Sequence, residues 1–386
     1  MKNPAPLPVA HDPLLFTPGP LTTSLSVKHA MLHDAGSWHF EFNAKVCWIR
    51  EQLLDVAGLS VSPDWEAILL QGSGTFGIEA VFATCVPPSG KVAVLANGAY
   101  GERAVQMLVH SQINHIALRT SEDTPCSPGD LESLLCRDRD ITHVFVVHCE
   151  TTSGILNPIQ EIGAVARKHH AVFIVDAMSS FGGIPIDFEA CGIDYLVSSA
   201  NKCLEGVPGF CFVFARRSGL LACEGWARSL SLDLLAQLKG FEKNGQFRYT
   251  PPTHSLLAFE QALHELMIEG GVGGRGDRYR RNHETLIAGM SAIGLRSYLR
   301  PEVQSPIITS FHYPDNPAFN FADFYRRLAG RGFLIYPGKI SQIDLFRIGT
   351  IGRIFEADIR SLIAAIADIL DRPASVIGAI RAAKIK

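Results

Sequence analysis

A glycine-rich turn follows the first apolar run of the chain and could bind an anion. The turn reads Gln71-Gly72-Ser73-Gly74-Thr75-Phe76-Gly77 and leads into an apolar, helix-like segment. Backbone N–H groups at glycines and at a helix N-terminus attract negative charge, and the hydroxyls of Ser73 and Thr75 add donors. The spacing also fits the dinucleotide motif G-x-G-x-x-G, but that motif requires an acidic residue about 20 positions further on, where none is found. The turn therefore favours a phosphate cradle over a dinucleotide site or a plain tight turn.

Two charged residues follow two later apolar runs. Asp176 comes directly after Ala171–Val175, and Lys202 lies shortly beyond Asp194–Ser199. Alone, Asp176 could be a helix N-cap or part of a structural salt bridge, and Lys202 could be a solvated loop lysine. Together with the cradle, in this order on one parallel sheet, they are the groups that pyridoxal phosphate requires. The cradle would hold the phosphate, Asp176 would pair with the pyridine nitrogen, and Lys202 would be nucleophile and general base.

Short apolar runs alternate with longer amphipathic stretches between residues 66 and 214. The predicted strands are Glu66–Leu70, Lys91–Leu95, Asn114–Leu118 (the weakest), His143–Val147, Ala171–Val175, Asp194–Ser199 and Phe210–Phe214. Stretches such as Gly101–His110 and Ile159–His170 are long enough for crossover helices. This alternation predicts an α/β fold with a mainly parallel sheet. The gap before Phe210 is too short for a crossover helix, so we expect one antiparallel strand near the end.

The pattern changes after about residue 255 and predicts a smaller α+β domain. Helices are expected at Ser255–Gly270, Arg278–Ile293, Phe321–Gly330 and Ala357–Leu370, and strands at Pro306–His312, Phe333–Tyr336 and Leu345–Ile348. The glycine-rich stretch at 270–277 is expected to be a hinge or a helix C-cap. We assign residues 22–270 to a large cofactor-binding domain, and residues 1–21 with 271–386 to a small domain.

The composition excludes several classes of protein. The chain has 386 residues, of which 47 % are hydrophobic, and its 35 basic and 38 acidic residues give a net charge of −3. This balance predicts no nucleic-acid partner and no membrane partner, and no uncharged apolar run reaches the ~18 residues of a membrane span. Nine cysteines without a C-x-x-C pair indicate reduced thiols rather than disulfides or a metal site. Because the N-terminus also lacks a signal-peptide pattern, we expect a cytoplasmic protein.

Several stretches along the chain resemble the class V aminotransferases of fold type I. They are Leu14–Ser24, Leu70–Val81, Asn97–Arg103, Glu150–Ile159, Val175–Asp187, Ser198–Phe210, Arg228–Leu234, Thr250–Phe259 and Tyr336–Gly352. They follow the family's order and span most of the chain. The resemblance implies a mainly parallel seven-stranded large domain, a smaller α+β domain and pyridoxal 5′-phosphate as cofactor. It also implies a homodimer with active sites at the subunit interface.

The resemblance assigns roles to matching residues. Lys202 would bond covalently to the cofactor, and Asp176 would pair with its pyridine nitrogen. Tyr100 would stack on the pyridine ring, unless it is a core-packing residue. The other residues expected to bind the cofactor are Ser73, Gly74 and Thr75 at the phosphate, Thr250 of the partner subunit, also at the phosphate, Thr151 at the phenolic oxygen and Met178 beneath the ring.

The resemblance is greatest to family members that transfer the amino group of 2-aminoethylphosphonate to pyruvate, which yields phosphonoacetaldehyde and L-alanine. Arg347 would bind the substrate's acidic group, since a guanidinium binds carboxylate or phosphonate with two hydrogen bonds. A structural salt bridge is the alternative role for Arg347. Thr22 and Thr23 would supply the further donors that a dianionic phosphonate needs.

Other functions remain as alternatives or are excluded. Another class V aminotransferase, such as an alanine:glyoxylate or serine:pyruvate enzyme, is the main alternative. A cysteine desulfurase needs a nucleophilic cysteine in the small domain, but the last cysteine is Cys223. A nicotinamide-dependent oxidoreductase is disfavoured by the missing acid after the glycine-rich turn. The chain departs from the family at His39 and Phe42, near the expected active-site entrance, which is either neutral variation or a shift in amine preference.

Overall fold

Helices and strands alternate through most of the protein. The structure is a computed structural model that describes residues 12–338 and 343–371. The helices are α1 (Leu25–Ala30), α2 (Phe40–Val56), α3 (Gly74–Cys85), α4 (Ala99–His110), α5 (Pro128–Arg137), α6 (Ile159–Lys168), α7 (Arg217–Leu221), α8 (Leu234–Asn244), α9 (Thr253–Ile268), α10 (Gly271–Ala292), α11 (Phe321–Ala329) and α12 (Glu356–Ile369). The strands are β1 (Leu14–Leu15), β2 (Trp65–Gln71), β3 (Lys91–Ala96), β4 (Asn114–Arg119), β5 (His143–Val147), β6 (Cys149–Glu150), β7 (Ile155–Leu156), β8 (Val172–Asp176), β9 (Tyr195–Ser199), β10 (Phe210–Arg216), β11 (Ile308–His312), β12 (Phe333–Leu334), β13 (Tyr336–Pro337) and β14 (Leu345–Gly349).

The central sheet has seven strands in the order β2-β10-β9-β8-β5-β3-β4. The pairs from β9 to β4 are parallel, whereas β10 is antiparallel to both β9 and β2. Central strand residues such as Phe145, Ile174 and Val213 are fully buried, because helices cover both faces of a parallel sheet. The predicted mainly parallel seven-stranded sheet is confirmed, and so is the antiparallel strand near its end.

The direction of the strands brings the ends of β2, β8 and β9 to one edge of the sheet. Because β10 is antiparallel to both of its neighbours, β2 runs in the same direction as β9 and β8. The register places Asp176, the last residue of β8, opposite Val197 of β9. The glycine-rich turn, Asp176 and the segment after β9 therefore lie at the edge where parallel sheets bind ligands.

The C-terminal part of the chain forms a smaller α+β unit. Strands β11, β14 and β13 make an antiparallel sheet, and β1 from the N-terminal segment pairs in parallel with β12. The predicted single strand Phe333–Tyr336 is wrong in one respect, because Ile335 separates two short strands that belong to different sheets. Leu14 and Leu15 pair with the first, and β14 pairs with the second. Residues 1–11, 339–342 and 372–386 of the predicted small domain lie outside the described residues.

The buried apolar residues form two main clusters that support the proposed domain division at 22–270. The larger cluster runs from Phe42 to Leu266 and surrounds the seven-stranded sheet. The smaller one combines Phe16 with residues between Leu286 and Ile369. We therefore propose that the N-terminal segment before residue 22 packs with the C-terminal domain. No helix in the described part of the chain is long and apolar enough to cross a membrane.

The glycine-rich stretch at 270–277 forms the junction of two helices rather than an extended linker. Gly270 follows α9 in the left-handed conformation (φ 95°), as expected for a helix C-cap, but α10 already begins at Gly271. A Cβ atom at Gly274 would lie 1.9 Å from the carbonyl oxygen of Glu269. Glycine is thus needed at position 274, because the start of α10 lies against the backbone at the end of α9. A cluster of glycines is typical both of a flexible segment and of a close contact between backbones, so the sequence alone does not distinguish them.

Four charged side chains meet where α10 packs against the loop after β9. Glu205 lies 2.7 Å from Arg278 Nη2 and 3.7 Å from Arg275 Nη1, and Glu269 lies 2.5 Å from the Nε atom of each arginine. Burial opposes the charge on Glu269, but the two guanidinium groups outweigh burial and lower the pKa of its carboxyl to about 2. Removing one member of a buried ion pair costs about 3–5 kcal/mol, because the other charge is left unpaired. The network therefore fixes the loop that carries Lys202.

Candidate active site

A cavity of about 260 Å³ lies at the carboxyl ends of the parallel strands. It is bounded by the first turn of α3, by α4, and by the segments that follow β5, β8 and β9. The polar and charged residues that line it are Ser73, Thr75, Tyr100, Arg103, Asp176, Ser179, Ser199, Asn201 and Lys202. Gly74 and Met178 also line it. The structure thus brings together seven of the cofactor-binding residues predicted from the sequence.

The glycine-rich turn forms one wall of the cavity at the N-terminus of α3. Ser73 is the N-cap residue, but its side chain makes no capping hydrogen bond, so its hydroxyl stays available to a ligand. A Cβ atom at Gly74 would lie 2.1 Å from the sulfur of Met178, which explains why glycine is needed there. The hydroxyl of Ser73, the helix N-terminus and its positive partial charge make this wall suitable for a phosphate group.

Asp176 ends β8 and points its carboxylate into the cavity wall. Its side chain is 6 % exposed, and one of its oxygens accepts a hydrogen bond of 2.9 Å from the backbone N–H of Met178. Burial raises the pKa of Asp176 to about 7, the negative charge of Glu150 adds to this rise, and the N–H of Met178 opposes it. A buried carboxylate with a raised pKa needs a cationic partner to stay charged, and a protonated pyridine nitrogen is such a partner.

Lys202 enters the cavity from the loop after β9. Its Nζ atom donates a hydrogen bond of 2.8 Å to the carbonyl of Pro18 and lies 3.4 Å from the carbonyl of Gly19. Burial lowers the pKa of Lys202 below its usual range. The amine is therefore more nucleophilic near neutral pH than that of a surface lysine. The N-terminal segment takes part in the site by supplying these two carbonyl groups.

Glu150 is a site residue to which sequence analysis gave no role. It is fully buried, and one carboxylate oxygen accepts hydrogen bonds from the backbone N–H groups of Tyr100 and Gly101 at the start of α4. The other oxygen accepts from the N–H and the hydroxyl of Thr152. A carboxylate at a helix N-terminus is stabilised by these donors and by the helix dipole. Glu150 therefore positions the helix that carries Tyr100 and Arg103. The sequence feature that could have indicated this role is an acidic residue between a buried apolar run and a turn that contains glycine.

Arg347 and Thr151 contact each other beside the cavity rather than in its lining. Arg347 is 6 % exposed, and its Nη1 atom donates a hydrogen bond of 2.6 Å to the carbonyl of Thr151. Its Nε atom donates one of 2.9 Å to the carbonyl of Pro337. Burial lowers the pKa of the guanidinium. The alternative role predicted for Arg347 was a structural salt bridge. These two hydrogen bonds instead go to backbone carbonyl groups.

The remaining predicted residues lie outside the cavity lining of this chain. Thr22 accepts a hydrogen bond of 2.8 Å from the backbone N–H of Leu15, and Thr23 follows it before α1. Thr250 is exposed, and its carbonyl accepts a hydrogen bond from Gln71 at the end of β2.

The two positions at which the chain departs from the family lie at the start of α2. His39 is exposed at the N-cap of this helix, whereas Phe42 is 3 % exposed and belongs to the larger hydrophobic cluster. Both residues line a second surface cavity, together with His264 of α9, and neither lines the cavity that contains Lys202.

Comparison with known proteins identifies the family. A family model for class V aminotransferases matches residues 23–341. The curated 2-aminoethylphosphonate–pyruvate transaminases of Salmonella heidelberg and Salmonella typhimurium are each 51 % identical to this chain over 355 residues. Each alignment covers 92 % of this chain and 96 % of the relative. The chain therefore belongs to the class V aminotransferases.

Solved structures share the fold over nearly the whole length. The ureidoglycine–glyoxylate aminotransferase of Bacillus subtilis has a TM-score of 0.87 at 23 % identity, and 98 % of each chain is covered. The alanine–glyoxylate aminotransferase of a Nostoc species has a TM-score of 0.86 at 25 % identity, and covers 95 % of this chain and 97 % of its own. These similarities confirm the predicted fold type I architecture.

The residues of the cavity fit pyridoxal phosphate, the cofactor that membership of the family implies. A solved structure of this fold, the phosphoserine aminotransferase of Trichomonas vaginalis, contains this cofactor at 16 % identity and a TM-score of 0.71, with 91 % of this chain and 98 % of that chain covered. In this chain the anion-binding wall of α3, the buried Asp176 and the amine of Lys202 surround one space. Each group matches one functional part of the cofactor: the phosphate, the pyridine nitrogen and the aldehyde.

We predict that Asp176→Asn stabilises the cofactor-free protein at pH 8 and has little effect near pH 4. The folded pKa of about 7 lies above the unfolded value of 3.8, so the folded state binds more protons between these values. Stability from the protonated carboxyl is thus present at low pH and lost as the pH rises toward 7. The neutral amide avoids this loss, which is on the order of 2–4 kcal/mol at pH 8. Denaturant unfolding at both pH values measures the difference, and an equal effect at both would contradict the assignment.

Proposed function

We propose that this chain is a pyridoxal phosphate-dependent transaminase that converts 2-aminoethylphosphonate and pyruvate into phosphonoacetaldehyde and L-alanine. The observation that carries the proposal is the convergence of Lys202, Asp176 and the N-terminus of α3 on one cavity. The choice of substrates is supported by relatives that are 51 % identical and carry the name of this activity. Similarity over 96 % of those relatives' length supports the transfer of the whole activity.

Lys202 performs the covalent and proton-transfer chemistry in this proposal. Pyridoxal phosphate, when bound, supplies an aldehyde carbon and a ring that withdraws electrons. Burial favours the neutral amine of Lys202, which attacks a carbonyl and can also accept a proton. With substrate bound, Nζ would be the base that removes the proton from the carbon that bears the substrate nitrogen. The carbonyls of Pro18 and Gly19 orient Nζ in the cofactor-free protein.

Asp176 and Glu150 position the other groups. Asp176 would keep the pyridine nitrogen protonated. The attraction between its carboxylate and the protonated nitrogen offsets the free-energy cost of burying the negative charge. Glu150 holds the start of α4 and so places the ring of Tyr100 at the cavity wall. The two carboxylates thus act on different sides of the site, one on the cofactor and one on the protein that surrounds it.

Arg347, Thr22 and Thr23 are the proposed substrate contacts. Arg347 already donates from Nε and Nη1 to backbone carbonyls, so Nη2 is the group that we assign to the anionic end of the substrate. The hydroxyl oxygen of Thr22 accepts the N–H of Leu15, which leaves its proton to donate to a phosphonate oxygen. A phosphonate offers three oxygens and therefore uses more donors than the carboxylate of pyruvate.

A homodimer with Thr250 reaching the partner's cofactor completes the proposed assembly. Thr250 and Tyr249 are exposed and lie beside the end of β2, next to the phosphate-binding wall. Large apolar side chains are also exposed at the start of the chain, where Leu32, Trp38 and Phe40 are 73–80 % accessible. Exposed apolar residues of this size typically mark an interface. All nine cysteines are free thiols, which supports a reducing, cytoplasmic location.

The first test is the absorbance spectrum of the purified holoenzyme during each half-reaction. We expect 2-aminoethylphosphonate alone to bleach the yellow band, and pyruvate alone to restore it, because amino transfer proceeds in two separable halves. Lys202→Ala should show neither change, since it lacks the amine that moves the proton. A yellow protein that ignores the phosphonate but is bleached by an amino acid such as alanine or serine would instead favour another class V aminotransferase.

We predict that Thr22→Val raises KM for 2-aminoethylphosphonate about tenfold and KM for pyruvate less than about twofold. The reason is the loss of one hydrogen bond to a charged group, which contributes roughly 1.5–3 kcal/mol. Thr22→Ser is the matched control, because it keeps the hydroxyl that accepts the N–H of Leu15 and should retain normal kinetics. Equal effects of Thr22→Val on both substrates would refute a role in phosphonate recognition.

Subunit mixing tests whether Thr250 acts in the partner's site. We expect Lys202→Ala and Thr250→Ala homodimers to be defective, while a mixed dimer of the two regains one intact site. That site combines Lys202 of one protomer with Thr250 of the other, so random mixing should restore about a quarter of the wild-type activity. If Thr250 served its own protomer, no intact site would form and mixing would give no recovery.

A further inference from the structure

Arg103 lies in the cavity wall, and neither the family match nor the proposed function assigns it a role. It is the second positively charged side chain in the lining, the other being Lys202. It belongs to α4, whereas the phosphate-binding wall belongs to α3. An arginine in a cofactor cavity needs a reason, because its burial is costly without an anionic or polar partner.

The contacts of Arg103 connect two of the predicted cofactor-binding residues. Its Nη1 atom donates a hydrogen bond of 3.3 Å to the hydroxyl oxygen of Thr75, in the first turn of α3. Its guanidinium carbon lies 4.8 Å from the ring centre of Tyr100, one turn earlier on α4. The side chain thus contacts both the residue expected to bind the phosphate and the residue expected to stack on the ring.

The chemistry of the two groups fixes the direction of the hydrogen bond. A guanidinium has only donors, so the oxygen of Thr75 must be the acceptor. The hydroxyl proton of Thr75 then points away from Arg103, and its oxygen is polarised by the positive charge beside it. The hydroxyl becomes a stronger and better oriented donor to an anion in the cavity. The positive charge of Arg103 also acts on the anionic side of the site, since it lowers the pKa of Asp176 against the larger effect of burial.

We propose that Arg103 is a positioning residue for the cofactor phosphate and that it acts through the hydroxyl of Thr75. This inference rests on the proposed function, since it takes pyridoxal phosphate as the ligand. It assigns to Arg103 a role in phosphate affinity and none in binding the pyridine ring. The ring would be held by Asp176 at the end of β8 and by Lys202 in the loop after β9.

The test compares the binding of pyridoxal phosphate with that of pyridoxal, which lacks the phosphate. Absorbance titration of the cofactor-free protein gives both dissociation constants without any turnover. In Arg103→Met we expect the constant for pyridoxal phosphate to rise roughly tenfold to hundredfold. The constant for pyridoxal should change less than about threefold. Arg103→Lys, which keeps the charge and a donor, should recover part of the lost affinity.

A double-mutant cycle tests the route through Thr75. In a Thr75→Val background, which removes the hydroxyl at nearly constant shape, Arg103→Met should cause little additional loss of phosphate affinity. Ser73→Ala is the matched control, because Ser73 lines the same wall and its effect should add to that of Arg103→Met. Full additivity with Thr75→Val would overturn the proposal by indicating direct contact between Arg103 and the phosphate.

Other results would also overturn the proposal. Equal losses for pyridoxal phosphate and pyridoxal would make Arg103 a support for Tyr100 or for the fold, and no loss at all would leave it without a role in binding. These outcomes are distinct from failure of the proposed function. If the wild-type protein bound neither compound, the proposed function itself would fail before any variant was compared.

Discussion

The buried ion network around Glu205 holds the two halves of the active site in one arrangement. Glu205 is three residues beyond Lys202, and its carboxylate receives Arg278, Arg275 and the hydroxyl of Tyr279 from α10. Helix α10 in turn packs against α12 of the smaller unit. The four charges cancel, and each guanidinium contacts both carboxylates, so the loop cannot shift without exposing an unpaired buried charge. The position of the Lys202 amine therefore depends on an interaction that contributes no atom to the cavity.

The same junction explains which parts of the fold could be predicted. The strands and their order in the chain follow from short, continuous apolar runs, because strands that are buried on both faces lack polar residues at alternate positions. The ends of those strands then give Asp176 and Lys202. By contrast, the residues near Gly274 have the composition of a flexible segment, although they form a tight helix contact. No local pattern reveals that the partner of Glu205 lies about seventy residues away, since ion pairs of this kind are made only by the tertiary fold.

Glu150 and Arg103 show the same limit within the site. Groups that must follow a strand or begin a helix can be predicted from the sequence, and the predicted cradle, acid and lysine are of this kind. Glu150 and Arg103 act on other protein groups: one on the first N–H groups of α4, the other on the hydroxyl of Thr75. Their side chains look like ordinary polar residues of a helix or loop until the distances are known. The sequence resemblance does indicate Thr22, Thr23 and Thr250. The structure of one chain does not test their roles, since their proposed contacts involve a substrate or a second subunit.

Burying the charged forms of Asp176 and Lys202 costs free energy in the cofactor-free protein, and binding of the cofactor would reduce this cost. Burial raises the pKa of Asp176 to about 7 and lowers that of Lys202, so both groups are pushed toward their neutral forms. Glu150 adds negative potential near Asp176, and four hydrogen-bond donors hold its carboxylate in place. In the proposed function, a cationic ring nitrogen beside Asp176 would remove the penalty on one side, and covalent use of Lys202 would remove it on the other. A site built this way is less stable without its ligand than one with uncharged side chains, and that difference becomes available as binding free energy.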